Sequence, residues 1–390
     1  MKRTFAILFL FLSMTFVVAQ TPKILADIKI APAQQFTKTV LETLRATLGN
    51  PKLDMTLSLY MALLGAPNFE GVSATDCIRI RVVEFNKKTY TFADINASEN
   101  SQLVAALRGF ARIQKSGETI RAIFTEKEVS LPVIEKPSKS SAFFEMTADA
   151  SYLKNLKMFP LPKTLQAISC DADKIYMKAD FNNKKLLANI LIYPKQNSKL
   201  QRQLKTVKVA QNLLPALPKA NFIEIVSTIA FAENTEFFIP QHAKDLKLKT
   251  NWNFAIAGKI ENNTLDTFGI LSINATNQTE QNSVMLDNNK YYFANTKDFF
   301  AFTTIASQLA KIVNYKPTSN ISENQKPQIV IKIKPYVFGG KISEASIVAE
   351  AINEKFAVKC DIPFEYLSIF FNIILQSDFA KQTGLGDLAK

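Results

Sequence analysis

Ser151-Tyr152-Leu153-Lys154 sets a hydroxyl and an amine one helical turn apart. In that geometry a lysine can take the proton of an attacking serine. The companion motifs such a pair works with are out of order or broken. Lys115-Ser116-Gly117 precedes the serine instead of following it, and Ser322-Glu323-Asn324 and Lys381-Gln382-Thr383-Gly384 depart from the required form. The spacing is therefore read as a coincidence of a lysine-rich chain. The chain has 1 histidine, His242, in Ile239-Pro240-Gln241-His242-Ala243-Lys244. A two-histidine metal site within one chain is thereby excluded, and with it the His-Glu-x-x-His hydrolases. His242 itself is read as a connector residue. The 11 glycines include no Gly-x-Gly-x-x-Gly and no phosphate-cradling loop ending in Gly-Lys-Ser/Thr. Paired carboxylates for glycoside cleavage meet in space and leave no spacing to read. The 3 cysteines, Cys77, Cys170 and Cys360, allow at most one internal disulfide. No cofactor and no metal are expected.

The positive chemical feature is electrostatic. Lys195, Lys199, Arg202, Lys205 and Lys208 fall on one side of a helix expected over 195–214, with Leu200, Leu204, Val207 and Leu214 on the other. Such a face is either the solvated side of a helix packed on a sheet or a docking surface for anionic lipid or polymer. Lys and Arg total 47 against 34 Asp and Glu, a net charge of +13. Asn-x-Ser/Thr triplets occur at Asn96, Asn262, Asn274, Asn277 and Asn320 and are expected by chance in a chain this rich in asparagine.

The first residues set the compartment. Met1-Lys2-Arg3 is cationic, Phe5 to Leu12 is unbroken apolar, and Val17 and Ala19 are small enough for a peptidase. This order is that of a secretory leader cut after Ala19. Removing Lys2 and Arg3 with it lowers the charge from +13 to +11. The remainder is expected to be secreted or periplasmic. Its longest late apolar stretch, Tyr366 to Leu375, is about half of the ~20 residues a membrane-spanning helix needs. It reads as a buried last helix or an oligomer contact.

The elements that would carry these residues alternate between two grammars. Phe36, Val40, Leu41, Leu44 and Leu48 recur at helical steps and stop at Gly49-Asn50-Pro51, and a short helix is expected over 53–64. From residue 77 paired strands appear around Asn-rich turns: 77–85 with 89–92, 174–181 with 186–193, 252–260 with 267–273, and 345–352 with 356–362. A helix is expected to open at Asn96-Ala97-Ser98 and bury Leu103, Val104 and Leu107. Another is expected to carry Phe299, Phe302, Ile305, Leu309 and Ile312. These readings predict an α+β fold, antiparallel hairpins and sheets with packed helices, in two diverged copies of one unit behind an N-terminal helical segment. The expected divisions are a leader over 1–19, a helical lead-in over 20–70, a first unit over 71–235, a connector over 236–250, a second unit over 251–376 and a frayed tail over 377–390.

Missing histidine, glycine and metal motifs favour a non-enzymatic exported protein that binds an apolar or anionic envelope partner: lipid, polymer or protein. Nucleic acid is not expected as a partner. The alternative is an extracytoplasmic hydrolase using paired carboxylates or the Ser–Lys pair.

Overall fold

The structure is a computed structural model. It describes residues 22–48, 55, 58, 62, 68–85, 87–109, 111–124, 133–139, 142–155, 171–182, 184–232, 235–236, 249–262, 264–273, 279–286, 289–316, 326–335 and 343–366. The chain divides into two compact units, residues 1–38 with 59–141 and residues 39–58 with 142–390.

In the first unit, strand β1 (Lys23–Ile30) leads to helix α1 (Ala33–Leu48), of which only the first residues belong to this unit. Then come β2 (Ile78–Phe85), β3 (Lys88–Asn96), α2 (Gln102–Leu107), β4 (Arg112–Ser116) and β5 (Thr119–Ile123). All pairings are antiparallel: β1 with β2, β2 with β3, β3 with β5, and β5 with β4. Strand residues alternate between faces. One face presents Ile78, Ile95, Ile120 and Ala122 to α2, which buries Leu103, Val104 and Leu107 against them. Ser101 caps α2 through its hydroxyl, accepting from the Val104 N–H, so the helix opens at residue 102 and not at Asn96.

The second unit runs through β6 (Phe144–Asp149), α3 (Ala150–Asn155), β7 (Ala172–Asn182), β8 (Lys185–Pro194), α4 (Lys199–Thr206), β9 (Lys208–Val209), β10 (Ile223–Ala230) and β11 (Thr235–Glu236). It continues with β12 (Lys249–Glu261), β13 (Thr264–Ile273), β14 (Thr279–Leu286), β15 (Asn289–Asn295), β16 (Phe299–Thr303), α5 (Ala306–Val313), β17 (Gln328–Ile333), β18 (Ala345–Ile352) and β19 (Lys355–Pro363). The main strands form one antiparallel run in the spatial order β6-β7-β8-β19-β18-β17-β10-β12-β13-β16-β15-β14. Helix α5 packs on one face over β12, β13, β15 and β16, where Leu309, Ile312 and Val313 meet Ala255, Ala257, Phe268, Ile270 and Ala301.

The fold is therefore nearly all-β, not the expected α+β with packed helices. The lead-in opens with a strand. Phe299 and Phe302 lie on β16, because the aromatic run ending in Thr303 pairs with β13 and β15 and the helix starts only at Ala306. The helix expected over 195–214 ends at Thr206. Val207 is extended at ψ 134, and Lys208 and Val209 pair with Ala230 and Ile229 instead. β-branched residues give up side-chain freedom in a helix and fit a strand. The four hairpins are present. Their turns use left-handed residues at Lys87, Lys184, Asn262 and the pair Asn353-Glu354. Positive φ is what tight hairpin turns require and what asparagine tolerates. The two-copy arrangement is not how the chain divides. The supposed first copy crosses the boundary at Ser141, and hairpins β7–β8 and β18–β19, expected in separate copies, join directly through β8 and β19 in one unit. Most of the expected connector, the short helix over 53–64 apart from Met55, Ser58 and Ala62, which are helical, and the chain after Tyr366 with its tail over 377–390 lie outside the described residues.

Candidate functional site

The second unit's strand register builds one continuous apolar face. Residues directly opposite each other on paired strands share a face. Crossing the sheet in register gives Met146, Met177, Ile190, Val358, Ala349, Ile329, Ser227, Phe254, Leu271 and Phe300. The parallel row two residues along reads Phe144, Ala179, Ala188, Cys360, Ile347, Ile331, Ile225, Ile256, Gly269 and Phe302. Ser227 is the one hydroxyl in the two rows. At the β12–β16 end the face is closed by its own side chains. Phe254, Leu271, Ile273 and Phe300 are buried among Ile225, Trp252, Ile256, Phe293 and Phe302. In the middle, Met177, Ile190, Val358, Ile329, Ile331 and Ile347 are only half-buried.

The opposite face is different in kind. Its corresponding row begins Glu145, Lys178, Asn189 and Lys359, then turns apolar through Val348, Val330 and Val226 to the floor under α5. Alternation of polar and apolar residues is the rule for a sheet with one wetted side. Here the polar side lies opposite the apolar rows on β6, β7, β8 and β19, so the apolar face has no counterpart requirement from α5.

The basic residues expected to form one stripe sit at one end of these strands. Lys195, Lys199, Arg202, Lys205 and Lys208 are all exposed. Ser198 caps α4 by accepting from the Gln201 N–H, and β8 ends just before it at Pro194. Lys205 Nζ lies 3.7 Å from Glu354 in the β18–β19 turn, and Gln201 donates to the same carboxylate at 3.3 Å. The structure thus keeps Lys199, Arg202 and Lys205 on a helix, places Lys208 on β9, and leaves Lys195 ahead of the cap.

The first unit holds a charge ladder that sequence reading missed. Asp94 on β3 is fully buried and accepts two hydrogen bonds from Arg121, at 2.6 and 2.8 Å, and one from Arg81 at 2.6 Å. Glu135 accepts from both Arg81 and Arg79, and Arg79 makes a two-point pair with Asp27 at 2.9 and 2.6 Å. The Asp27 hydrogen bond is the main reason the Arg79 guanidinium is held protonated beyond its ordinary range. Both buried guanidinium groups lie over the Phe92 ring, at 5.1 Å for Arg81 and 4.1 Å for Arg121. Arg81 Nε has no hydrogen-bond partner, so the ring is its neighbour on that side. The carboxylates match the guanidiniums in number, and the ladder serves as a brace. Its signal was the alternation Arg79-Ile80-Arg81, legible only once β1 and β3 are known to flank β2, and β5 to flank β3.

A polar cleft of about 580 Å³ in this unit is lined by residues including Ser73, Asn96, Glu99, Lys115, Gly117 and Glu118. Its charges already answer one another: Glu99 pairs with Arg108 and Lys115, and Glu118 with Lys136. Lys115-Ser116-Gly117 runs from the end of β4 into the turn of hairpin β4–β5, with Gly117 at φ +60. Ser151 is exposed, and its hydroxyl and its N–H both engage Asp149, while the Lys154 side chain lies outside the described residues. His242, Cys170, Ser322 and Lys381 also lie outside them. Burial pushes the Cys77 and Cys360 thiols above their ordinary range, away from nucleophilic character. Among the described residues no helix is long and apolar enough to cross a membrane. The chain matches no family model, no curated protein and no solved structure.

Proposed function

We propose that the protein is an exported, non-enzymatic binding protein for an amphiphile with an acyl chain and an anionic headgroup. The observation that carries this reading is the apolar face running in register from β6 to β16. Its half-buried middle offers an acyl chain apolar surface worth about 25 cal/mol per Å² removed from water. The basic residues from Lys195 to Lys208 stand at the end of β8 and beside the β18–β19 turn, where a headgroup would meet them.

The test is titration of the mature chain with a long-chain fatty acid and with the matching neutral alcohol. The fatty acid is expected to bind more tightly, with affinity falling as salt rises. Replacing Lys199, Arg202, Lys205 and Lys208 together by glutamate removes that preference, at about 1 kcal/mol per charge. Ile190→Asp with Ile331→Asp abolishes binding of both. If neither ligand binds, or if the aspartates leave binding intact, the reading is wrong.

A further inference from the structure

The apolar face has a length along its strands as well as a width across them, and the two ends of that length differ. Two further rows flank those already traced. Toward the basic residues run Ala148, Ile175, Ile192, Phe356 and Ala351. On the far side run Phe181, Leu186, Ile362, Ala345, Ile333 and Ile223. On β8 the four rows therefore read Ile192, Ile190, Ala188 and Leu186, and on its neighbour β19 they read Phe356, Val358, Cys360 and Ile362. All are half-buried except Ala188, which is 5% exposed. Its register partners are Ala179 and Cys360. Three small side chains in a row make the low part of the floor, with Met177, Ile190 and Val358 before them and Phe181, Leu186 and Ile362 after.

One end of this track is charged. β8 stops at Pro194, Lys195, Lys199, Arg202 and Lys205 follow exposed at that edge, and Lys205 reaches Glu354 in the β18–β19 turn. The other end is walled. The Phe181 ring meets that of Phe143 edge-on at 4.7 Å and that of Phe364 at 5.7 Å. Phe143 and Phe364 are both buried, so the cluster is packed in place. Tyr366, buried as well, donates from its hydroxyl to the Ile333 carbonyl at 3.1 Å and fixes the same edge. From Ile192 to Leu186 the track runs about 20 Å, at ~3.4 Å per strand residue. An extended hydrocarbon chain advances ~1.25 Å per carbon, the projection of a ~1.5 Å bond at a tetrahedral angle. The track therefore matches about 16 carbons.

We infer that the acyl chain lies along β8 and β19, and that Phe181 with its two ring partners sets the longest chain the face accepts. The inference rests on the proposed function for its ligand, and it adds an orientation, a length and the residues that fix the length. The direction follows from the two ends. A carboxylate held at the Pro194 edge sends its chain toward Phe181, since the opposite direction leads off the sheet. Across the strands, the way toward β16 is closed by Phe254, Phe300 and Phe302. Cys360 is a free thiol in the floor. It lies about 14 Å, or ~11 carbons, from the Phe356 row at the basic edge. A long chain covers it and a short one does not.

The test titrates the mature chain with saturated fatty acids from about 8 to about 20 carbons, a range that brackets the track. Affinity is expected to rise about twofold with each added carbon, as a half-enclosed methylene gives, and to stop rising beyond about 16. Phe181→Ala opens the wall and is expected to move that limit up by about two to four carbons. Ala188→Phe fills the floor one row before the wall and is expected to bring the limit down to about 11 carbons. Melting curves verify that both are folded, and shifts in opposite directions are not what lost stability produces. A second readout leaves the face unaltered. In a chain carrying Cys170→Ser, only Cys360 and the fully buried Cys77 remain. A saturating 16-carbon acid is expected to slow labelling of Cys360 by a water-soluble disulfide reagent about tenfold or more, because exchange needs access to the sulfur. A saturating 8-carbon acid is expected to leave the rate unchanged. A limit that stays put in both folded variants, or equal protection by the short and long acids, overturns the inference and leaves the amphiphile reading standing. Failure of every acid to bind overturns both.

Discussion

At the scale of single residues, Asp94 is where the first unit is most sensitive. It sits buried between Arg81 and Arg121, both also buried, and it is the acceptor that lets those charges leave water. Asp94→Ala takes from two buried guanidinium groups the carboxylate they share and is expected to cost about 3–5 kcal/mol, read as a shift in the urea midpoint. Replacing Asp94, Arg81 and Arg121 together with leucine, methionine and leucine removes the charges along with the carboxylate and should recover most of that loss. Asp76 is a quieter case with a sign that can be worked out. Its carboxylate accepts from Asn96 at 2.5 Å, and that bond is the main reason it is held below the usual carboxylate range. A group depressed on folding stabilises above its unfolded value, and that contribution is lost as pH falls through the folded value. Titration of Asp76 followed by NMR is expected to show a midpoint below that of a free aspartate, and Asn96→Ala should move it back up. An unshifted midpoint in the native protein would remove the argument.

At the scale of elements, the close approach of β13 and β16 makes the clearest demand. A Cβ built on Gly269 would lie 2.1 Å from the Phe302 ring, which covers the glycine on the apolar face. Gly269→Ala is expected to cost about 1–3 kcal/mol, the range for overfilling a packed site. Phe302→Ala alone also destabilises, through the lost ring. In the double variant the two losses should not add, because the ring that clashes is gone; additive losses in thermal melts would refute the contact. Hairpins were the legible elements, since alternation and Asn-rich turns are local. All four were readable to within a few residues of their observed ends. What was not legible is equally particular. Val207 to Val209 and Phe299 to Thr303 satisfy helical spacing by residue type, and only the partner strands β10, β13 and β15 decide for extension. The apolar face was invisible for the same reason: Ile190, Val358 and Ile329 are far apart in sequence and meet through pairing alone. The basic residues were legible as charges but not as a position beside Glu354.

At the scale of the whole molecule, the second unit's strand order has a consequence for how the chain is made. β8 finds its partner in β19, so that residue 190 waits for residue 358, and β10 likewise waits for β17. Pairings this distant in sequence form slowly, because the loop they close must be ordered before it is rewarded. Until β19 emerges, β8 and β18 each present a bare edge beside apolar side chains, the combination that recruits other chains. Strand β19 is thus the keystone of the sheet. Synthesis that stalls before Lys355 leaves a chain with two open edges, whereas one that stops just past Pro363 can already close them. The order of strands makes synthesis through Pro363 a condition for closing these edges, and it favours holding the chain unfolded until β19 is through.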